Sequence, residues 1–296
     1  MRIGFIGAGR AGTSVAKYFS AASNTTIVGF FSERLSDAAE SAEFTSSAAY
    51  KTAETLLADS DMIFITTGDH AISGVWKTLD KDVLAGKIIA HLSGSLGSDV
   101  FSGAKDYGTV VGSLHPAYAF DNKFTSYKNL GGAVFTAEGD EKFLEAVGAI
   151  IKSLGNRLII IASENKKLYH AAASLASNHL LGLLNICIGI LGQCGFSEDD
   201  ARTLLRPLMT GNLINALEGG TEQALTGPIE RGDTATVRAH LNALDTADQK
   251  VYNALGKSVL ELARRKHSDD AQLCEKYNEI ERMLNNEKYG SNISAE

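Results

Sequence analysis

The stretch that decides the fold is "MRIGFIGAGRAGTSVAKYF", residues 1–19. The residues just before Gly7 are mostly apolar up to Ile6, which is typical of a short strand. From Val15 onward, apolar residues recur at helical spacing. Between them three glycines stand at G-x-G-x-x-G spacing: Gly7, Gly9 and Gly12. Between a strand and a helix, this spacing predicts a turn that holds a pyrophosphate against backbone N–H groups at a helix N-terminus. The alternative is a purely structural turn.

The residues around this turn predict which dinucleotide it binds. The loop residues expected to contact the cofactor are Gly7, Gly9, Arg10, Ala11 and Gly12. About 20 residues further on, where NAD-binding domains carry an acidic residue for the ribose, this chain has Ser32. Serine does not repel a 2′-phosphate and Arg34 can pair with one, so NADP is favoured over NAD. Two alternatives stay open: Glu33 as the ribose ligand, which would favour NAD, and Arg34 as a solvated surface residue.

Composition and charge narrow the class of protein. The chain has 296 residues, of which 44% are hydrophobic and 21% charged, and its net charge is −7. This profile is typical of a globular protein and argues against a nucleic-acid or anionic-membrane partner. No run of about 18 apolar residues occurs, and the glycine loop leaves no room for a signal peptide. A cytoplasmic protein is therefore expected.

The cysteines indicate neither a disulfide framework nor a metal site. Only Cys187, Cys194 and Cys274 occur, and they form no C-x-x-C or similar ligand grouping. Buried structural cysteines and no bound metal are expected.

The hydrophobic pattern predicts an α/β fold, a Rossmann-type doubly wound and mostly parallel sheet, followed by an all-α C-terminal domain. Up to residue 162, short apolar runs alternate with amphipathic stretches, which indicates βαβ units. These runs lie at 26–31, 62–67, 87–93, 109–115, 132–137 and 157–162. The predicted domains are residues 1–162 for dinucleotide binding, residues 163–285 for a helical dimerisation and substrate domain, and residues 286–296 for a flexible tail.

Polar residues at predicted strand ends are candidates for the site, because ligands of open α/β sheets lie at the carboxyl ends of the strands. Thr67 and Gly68 end the fourth strand and are expected to line the cofactor crevice; Asp69 either joins them or caps the next helix. Ser93 follows the fifth strand. His115 stands before a proline at the end of the sixth and is a candidate acid or base, with a structural histidine as the alternative.

The residues from 164 to 195 read as one long, largely buried helix ended by a glycine. At about 100° per residue, a polar stripe falls on one side of it. Its members are Lys167, His170, Ser174, Asn178 and Asn185. Buried polar side chains need partners, so the stripe faces either a substrate cavity or a hydrogen-bonded seam between helices.

A turn-rich segment further on offers an arginine. In "ALTGPIERGDTATVRAH", residues 224–240, Arg231 stands in a loop that suits an anionic substrate. An equally open alternative is a structural pair between Arg231 and Asp233.

Several segments together resemble a known family. They are "FSER", "HLSGSLGSDV", "HPAYAF", "KKLYHAAASLASNHLLGLL" and "ALTGPIERGDTATVRAHL". With the glycine loop they resemble the Rossmann-like family with a C-terminal DUF2520 domain, whose members are related to pyrroline-5-carboxylate reductase and the 6-phosphogluconate/β-hydroxyacid dehydrogenases. The resemblance implies an NADP-type cofactor, dimerisation through the helical domain and a substrate site in the cleft between the domains.

The resemblance does not transfer a mechanism directly. In β-hydroxyacid dehydrogenases a lysine and an asparagine four residues apart on the first helix after the sheet do the catalysis. Here the position four after Lys167 is Ala171, and Asn178 lies much further along the helix. His170 or His115 is then the alternative proton donor.

The sequence as a whole predicts an NADP-dependent oxidoreductase. It would transfer hydride between the nicotinamide and a small, anionic carbonyl or imine compound, or the corresponding alcohol or amine. The candidate catalytic residues are His115, Lys167, His170, Asn178 and Ser93, and the candidate substrate contacts are Arg231 and Ser174. Expected partners are this substrate and a second copy of the chain. The alternative is a non-catalytic NADP(H)-binding sensor, because fold does not fix function.

Overall fold

A computed structural model describes residues 1–285 of the chain. It divides into two compact units, Met1–Leu180 and the residues from Leu181 onward. The predicted domain boundary at residue 162 marks the change from sheet to helix, whereas the first part of the following helix belongs to the first unit. The predicted tail, residues 286–296, lies outside the described residues.

The first unit is built on one eight-stranded sheet of order β3-β2-β1-β4-β5-β6-β7-β8. The strands are β1 (Arg2–Ile6), β2 (Thr26–Phe31), β3 (Ala48–Tyr50), β4 (Met62–Ile65), β5 (Ile88–His91), β6 (Val110–Pro116), β7 (Val134–Gly139) and β8 (Arg157–Ile160). All neighbouring pairs are parallel except β6 and β7, which are antiparallel. The predicted Rossmann-type, mostly parallel sheet is confirmed, and the order reverses beside β1, where such sheets bind ligands.

Helices cover both faces of this sheet. They are α1 (Arg10–Phe19), α2 (Leu35–Thr45), α3 (Ala53–Asp59), α4 (Asp69–Thr78), α5 (Glu141–Ser153) and α6 (Lys166–Ser174). In β4, Phe64 belongs to one hydrophobic cluster, while Ile63 and Ile65 belong to another, and all three are fully buried. Successive residues of a strand face opposite sides, so both faces of β4 are covered, as its uninterrupted apolar sequence predicts.

The long helix predicted after the sheet is present but is not uniform. It is helical from Ser163 to Gln193 and consists of α6, a π-helical segment at Leu175–His179, and α7 (Leu180–Gln193). A π turn holds one more residue than an α turn, and such turns often occur at functional sites. Regular α-helical spacing is therefore interrupted in the middle of the predicted polar stripe.

The second unit is helical throughout its described part. Its further helices are α8 (Glu198–Gly219), α9 (Thr221–Ala224), α10 (Thr234–Ala243), α11 (Thr246–Lys266) and α12 (Ala271–Leu284). Ser197 caps α8 by accepting a hydrogen bond from Asp200 N at 3.1 Å. Tyr277, Ile280 and Leu260 lie in a core between α10, α11 and α12.

The prediction that the long helix is largely buried is wrong for a single chain. Leu168 is 75% exposed, Leu175 62% and Leu181 66%. By length and composition alone, Ser163–Gln193 is apolar enough to cross a membrane, which is weak evidence for such a role. The cysteines differ from expectation too, since Cys194 and Cys274 are exposed and Cys187 is half-buried.

Candidate active site

The glycine loop has the shape that the motif predicts. Gly7 has φ of +107°, a conformation that disfavours other residues, and a Cβ there would lie 2.8 Å from the backbone of Thr66. Gly12 packs against the Thr66 side chain, whose hydroxyl donates to Gly7 O at 2.9 Å. Gly9, the N-cap of α1, faces open space. The turn is tight where β1 meets β4 and open where a phosphate would approach.

The residues around the loop fit a dinucleotide. No side chain caps α1 and its first turn has no acidic residue, so its N-terminal N–H groups are open to an anion. Thr67 Oγ1, just after β4, is buried with no hydrogen-bond partner in the described part of the chain. A buried hydroxyl of this kind suits a ligand contact. The predicted set around Gly9, Arg10, Ala11, Thr67 and Gly68 would therefore hold the pyrophosphate side of the cofactor.

The residues predicted to choose between NADP and NAD follow β2. Ser32 is half-buried directly after the strand, whereas Glu33 and Arg34 are exposed. Arg34 pairs with Asp37 at 2.8 Å, which orients a guanidinium that is still 79% exposed. Arg34 thus stands at the start of α2 with most of its guanidinium open to solvent, as pairing with a phosphate requires.

A buried lysine lies beside the strand ends. Lys166 is 1% exposed, and its Nζ donates to Ser93 O at 2.8 Å and to Ser113 Oγ. Burial lowers the pKa of this ammonium to about 8, against the raising influence of Glu138 and Asp69. The predicted candidate Lys167 is exposed instead. Lys166 is thus the buried lysine of this pair, and the catalytic role of Lys167 stays a prediction.

The π segment changes which residues of the long helix lie on the same side as Asn178. In an unbroken α-helix, Lys167 and Asn178 lie within about 20° of each other. The π segment adds one residue between them, so Lys166 takes the angular position that Lys167 would have had. The sequence does not show this interruption, and regular spacing therefore does not single out Lys166.

Ser93 and Asp69 connect two strand ends. Ser93 Oγ donates to Asp69 Oδ2 at 2.7 Å, and Ser95 Oγ donates to the same oxygen at 3.0 Å. Gly68 is the N-cap of α4, so the capping alternative for Asp69 is wrong. The carboxylate instead fixes the loop that follows β5.

Two imidazoles pack against that loop. His115 Nδ1 lies 2.7 Å from the Tyr169 hydroxyl, and the His115 and His170 ring centroids are 6.1 Å apart. A Cβ on Gly94 would lie 2.9 Å from His115 Nε2 and 2.7 Å from His170 Nδ1. Glycine at this position thus allows both rings to approach the loop. Tyr169 has no motif of its own, and sequence reasoning misses it.

Burial and neighbouring positive charge keep His115 neutral. Its pKa is lowered to about 4, mainly by burial and further by the Lys166 ammonium. His170 Nδ1 is buried with no hydrogen-bond partner among the described residues. His91, at the end of β5, is fully buried and bonded to the loop through Gly97 O and Ser93 N. It is therefore structural.

A cavity of about 400 Å³ opens beside His115. Its lining includes three further predicted residues, His170, Ser174 and Asn178. The structure thus brings four predicted residues to one cavity wall. The fifth, Ser93, is not in this lining and accepts a hydrogen bond from Lys166 through its backbone oxygen. Asn185 lies on α7, exposed and outside this lining.

Arg231 lies in the second unit and is exposed. Asp233 caps α10 by accepting from Thr236 N at 3.0 Å and Thr236 Oγ1 at 2.7 Å. These bonds lower the Asp233 pKa most, and the Arg231 charge adds a smaller lowering. The carboxylate of Asp233 is thus engaged chiefly with Thr236, and the substrate role of Arg231 stays a prediction.

Comparison with known families agrees with this geometry. Residues 2–92 match the family model described as NADP oxidoreductase coenzyme F420-dependent, and residues 133–259 match DUF2520, a domain of unknown function. The second match covers the part of the chain in which the sequence resembles a C-terminal DUF2520 domain. The first match identifies the chain as an oxidoreductase of the NADP-dependent type. No curated protein sequence matches the chain.

Solved structures share the fold. Protein TM1727 from Thermotoga maritima is 27% identical, with a TM-score of 0.69 over 89% of this chain and 99% of that one. Plasmodium falciparum pyrroline carboxylate reductase, solved with NADP bound, is 15% identical, with a TM-score of 0.58 over 95% and 98%. An imine reductase from a Pseudomonas species is 15% identical, with a TM-score of 0.58 over 96% and 93%.

Proposed function

We propose that this oxidoreductase reduces a small carbonyl or imine compound with NADPH, and that His115 handles the proton. The observation that carries the proposal is the position of His115. His115 lies near the end of β6 and lines the cavity. The Tyr169 hydroxyl lies 2.7 Å from its Nδ1. A sensor that only binds the dinucleotide has no need of such a group.

The bound cofactor would supply hydride, and the chain supplies position and a proton. With the Tyr169 hydroxyl donating to Nδ1, the neutral imidazole of His115 carries its proton on Nε2. As the Nε2–H proton passes to the oxygen or nitrogen of the reacting double bond, Nδ1 takes the proton of the Tyr169 hydroxyl, and water returns a proton to that tyrosine, so His115 stays neutral throughout. His170 and Asn178, on the same cavity wall, orient the substrate.

Lys166 acts through its neighbours and is a positioning residue. Its ammonium binds Ser93 O, where the loop after β5 begins, and Ser113 in β6. It thereby ties the loop that carries Gly94 to the strand that carries His115. Its positive charge also helps to keep His115 neutral.

The finer features of the prediction remain proposals. A cytoplasmic location rests on the sequence. The anionic substrate held by Arg231 and Ser174 that the sequence predicts is not part of the proposal, because the described lining of the cavity beside His115 carries no arginine or lysine. We also propose a homodimer formed through the helical unit. It is supported by α7, which has no buried residue, and by α8, in which only Ala201 is buried within Glu198–Gly219.

The test measures both turnover and NADPH binding in the same protein. Purified protein is titrated with NADPH by fluorescence, and NADPH oxidation is followed by absorbance with a panel of small aldehydes, ketones and cyclic imines. We expect turnover with part of the panel, and His115→Gln to reduce kcat by about 10²–10⁴-fold. The NADPH Kd of this variant should stay within about twofold, because the glycine loop is unchanged.

A matched control is His240→Gln, which removes an exposed imidazole in α10 that contacts Tyr252. It should keep wild-type turnover. Tight NADPH binding without oxidation by any panel member would support the sensor and overturn the proposal.

A further inference from the structure

The cavity beside His115 is mostly apolar and small. Alanine methyl groups supply much of its wall, at positions 117, 119, 173 and 176. Its polar side chains include Asn178, Ser174 and Ser177. No arginine, lysine, aspartate or glutamate is among the described residues that line it.

The charges nearest to the cavity do not favour an anion either. His115 is neutral above about pH 4. The Lys166 ammonium is 1% exposed and already donates to Ser93 O and Ser113 Oγ. Asp69 is close enough to raise the pKa of His115, and its negative charge would repel an anion. A carboxylate placed here would lose its hydration without gaining a cation.

Resting on the proposed function, we infer that the group this cavity accepts beyond the reacting double bond is uncharged and largely apolar. The occupant is a short aliphatic or small ring substituent with at most one hydrogen-bonding group, which Asn178 or Ser174 can meet. Preferred substrates are thus neutral aldehydes, ketones or cyclic imines rather than their carboxylated analogues.

The experiment uses matched pairs of compounds that differ only by a carboxylate. A cyclic imine is compared with the same ring bearing a carboxylate on the carbon next to nitrogen, and an aliphatic aldehyde with the oxo-acid of equal chain length. NADPH oxidation by the full-length wild-type protein gives kcat/KM for each member. We expect the neutral member of each pair to be favoured by about tenfold or more.

A variant pair tests the cause. Ala176→Arg adds a guanidinium to the lining, and Ala176→Gln adds a long side chain without charge. The arginine variant should raise the carboxylate-to-neutral ratio of kcat/KM about tenfold over the glutamine variant. An NADPH Kd close to wild type shows that each variant is folded.

The failures are distinguishable. Turnover that favours the carboxylated member of both pairs overturns this inference and leaves the reductase function standing. An unchanged ratio between the arginine and glutamine variants also overturns it. NADPH binding without oxidation by any compound overturns the proposed function and the inference with it.

Discussion

Adjacent lysines give a test at the scale of single residues. Methionine has nearly the length of lysine but no charge. Lys166→Met therefore removes a buried ammonium, and Lys167→Met removes an exposed one. Because Lys166 holds Ser93 and Ser113 in place, we expect its replacement to lower kcat about 10-fold or more. The control at Lys167 should stay near wild type. Equal kinetics for the two variants would contradict the assignment.

The pH profile separates a positioning role from a merely structural one. In the wild type, activity needs neutral His115 and charged Lys166. It should therefore fall as pH drops toward about 4 and as pH rises through about 8. In Lys166→Met the loss near pH 8 disappears. The acid limb moves to higher pH, because the charge that lowered the pKa of His115 is gone. A profile that only scales down would indicate lost stability.

The two lysines also show what residue types alone can reveal. His115 is predictable because a proline fixes its place at a strand end. Tyr169 and Lys166 are not, because no motif marks the tyrosine and a second lysine stands directly beside Lys166. The pKa of Lys166 depends on burial under a loop far away in sequence, which no local pattern encodes.

At the scale of elements, the π segment sets which side chains of the long helix share a face. Deleting Ala176 removes the extra residue at Leu175–His179 and allows regular α-helix. Asn178 would then turn by about 100° relative to α6. We expect helicity measured by circular dichroism to be unchanged and turnover to fall about tenfold or more, with the NADPH Kd kept within about twofold.

Leu175→Ala is the control, because it keeps the chain length at a position of the π segment outside the cavity lining. Full turnover by the deletion variant would show that the π segment has no part in the site.

The strands show where hydrophobic pattern suffices and where it fails. β4 is predictable because both of its faces are covered and its sequence is apolar throughout. β3 is not, because Ala48 and Ala49 are exposed and no apolar run marks them. The glycine loop is predictable because Gly7 and Gly12 meet backbone and side chain so closely that only glycine fits.

At the scale of the whole molecule, the helical unit exposes more apolar surface than a lone chain normally leaves in water. Leu217 is 77% exposed, Leu208 55% and Ile214 51%. Ile214 and Leu217 lie about one turn apart on α8, and contiguous exposed apolar patches mark interaction sites. The hydrophobic sequence of these helices predicts that their apolar side chains are buried. It does not predict whether they are buried by the same chain or by another one.

A second copy of the chain is the cover we propose, and sedimentation tests it. The wild type should sediment at micromolar concentration as a species of twice 31.5 kDa. Leu213→Glu combined with Leu217→Glu places two carboxylates one turn apart on α8. Burying them in an interface is costly, so this variant should dissociate to one chain. Gln272→Glu, on the exposed part of α12, adds charge elsewhere and should leave the dimer intact. A wild type that sediments as a single chain at these concentrations would contradict the proposal.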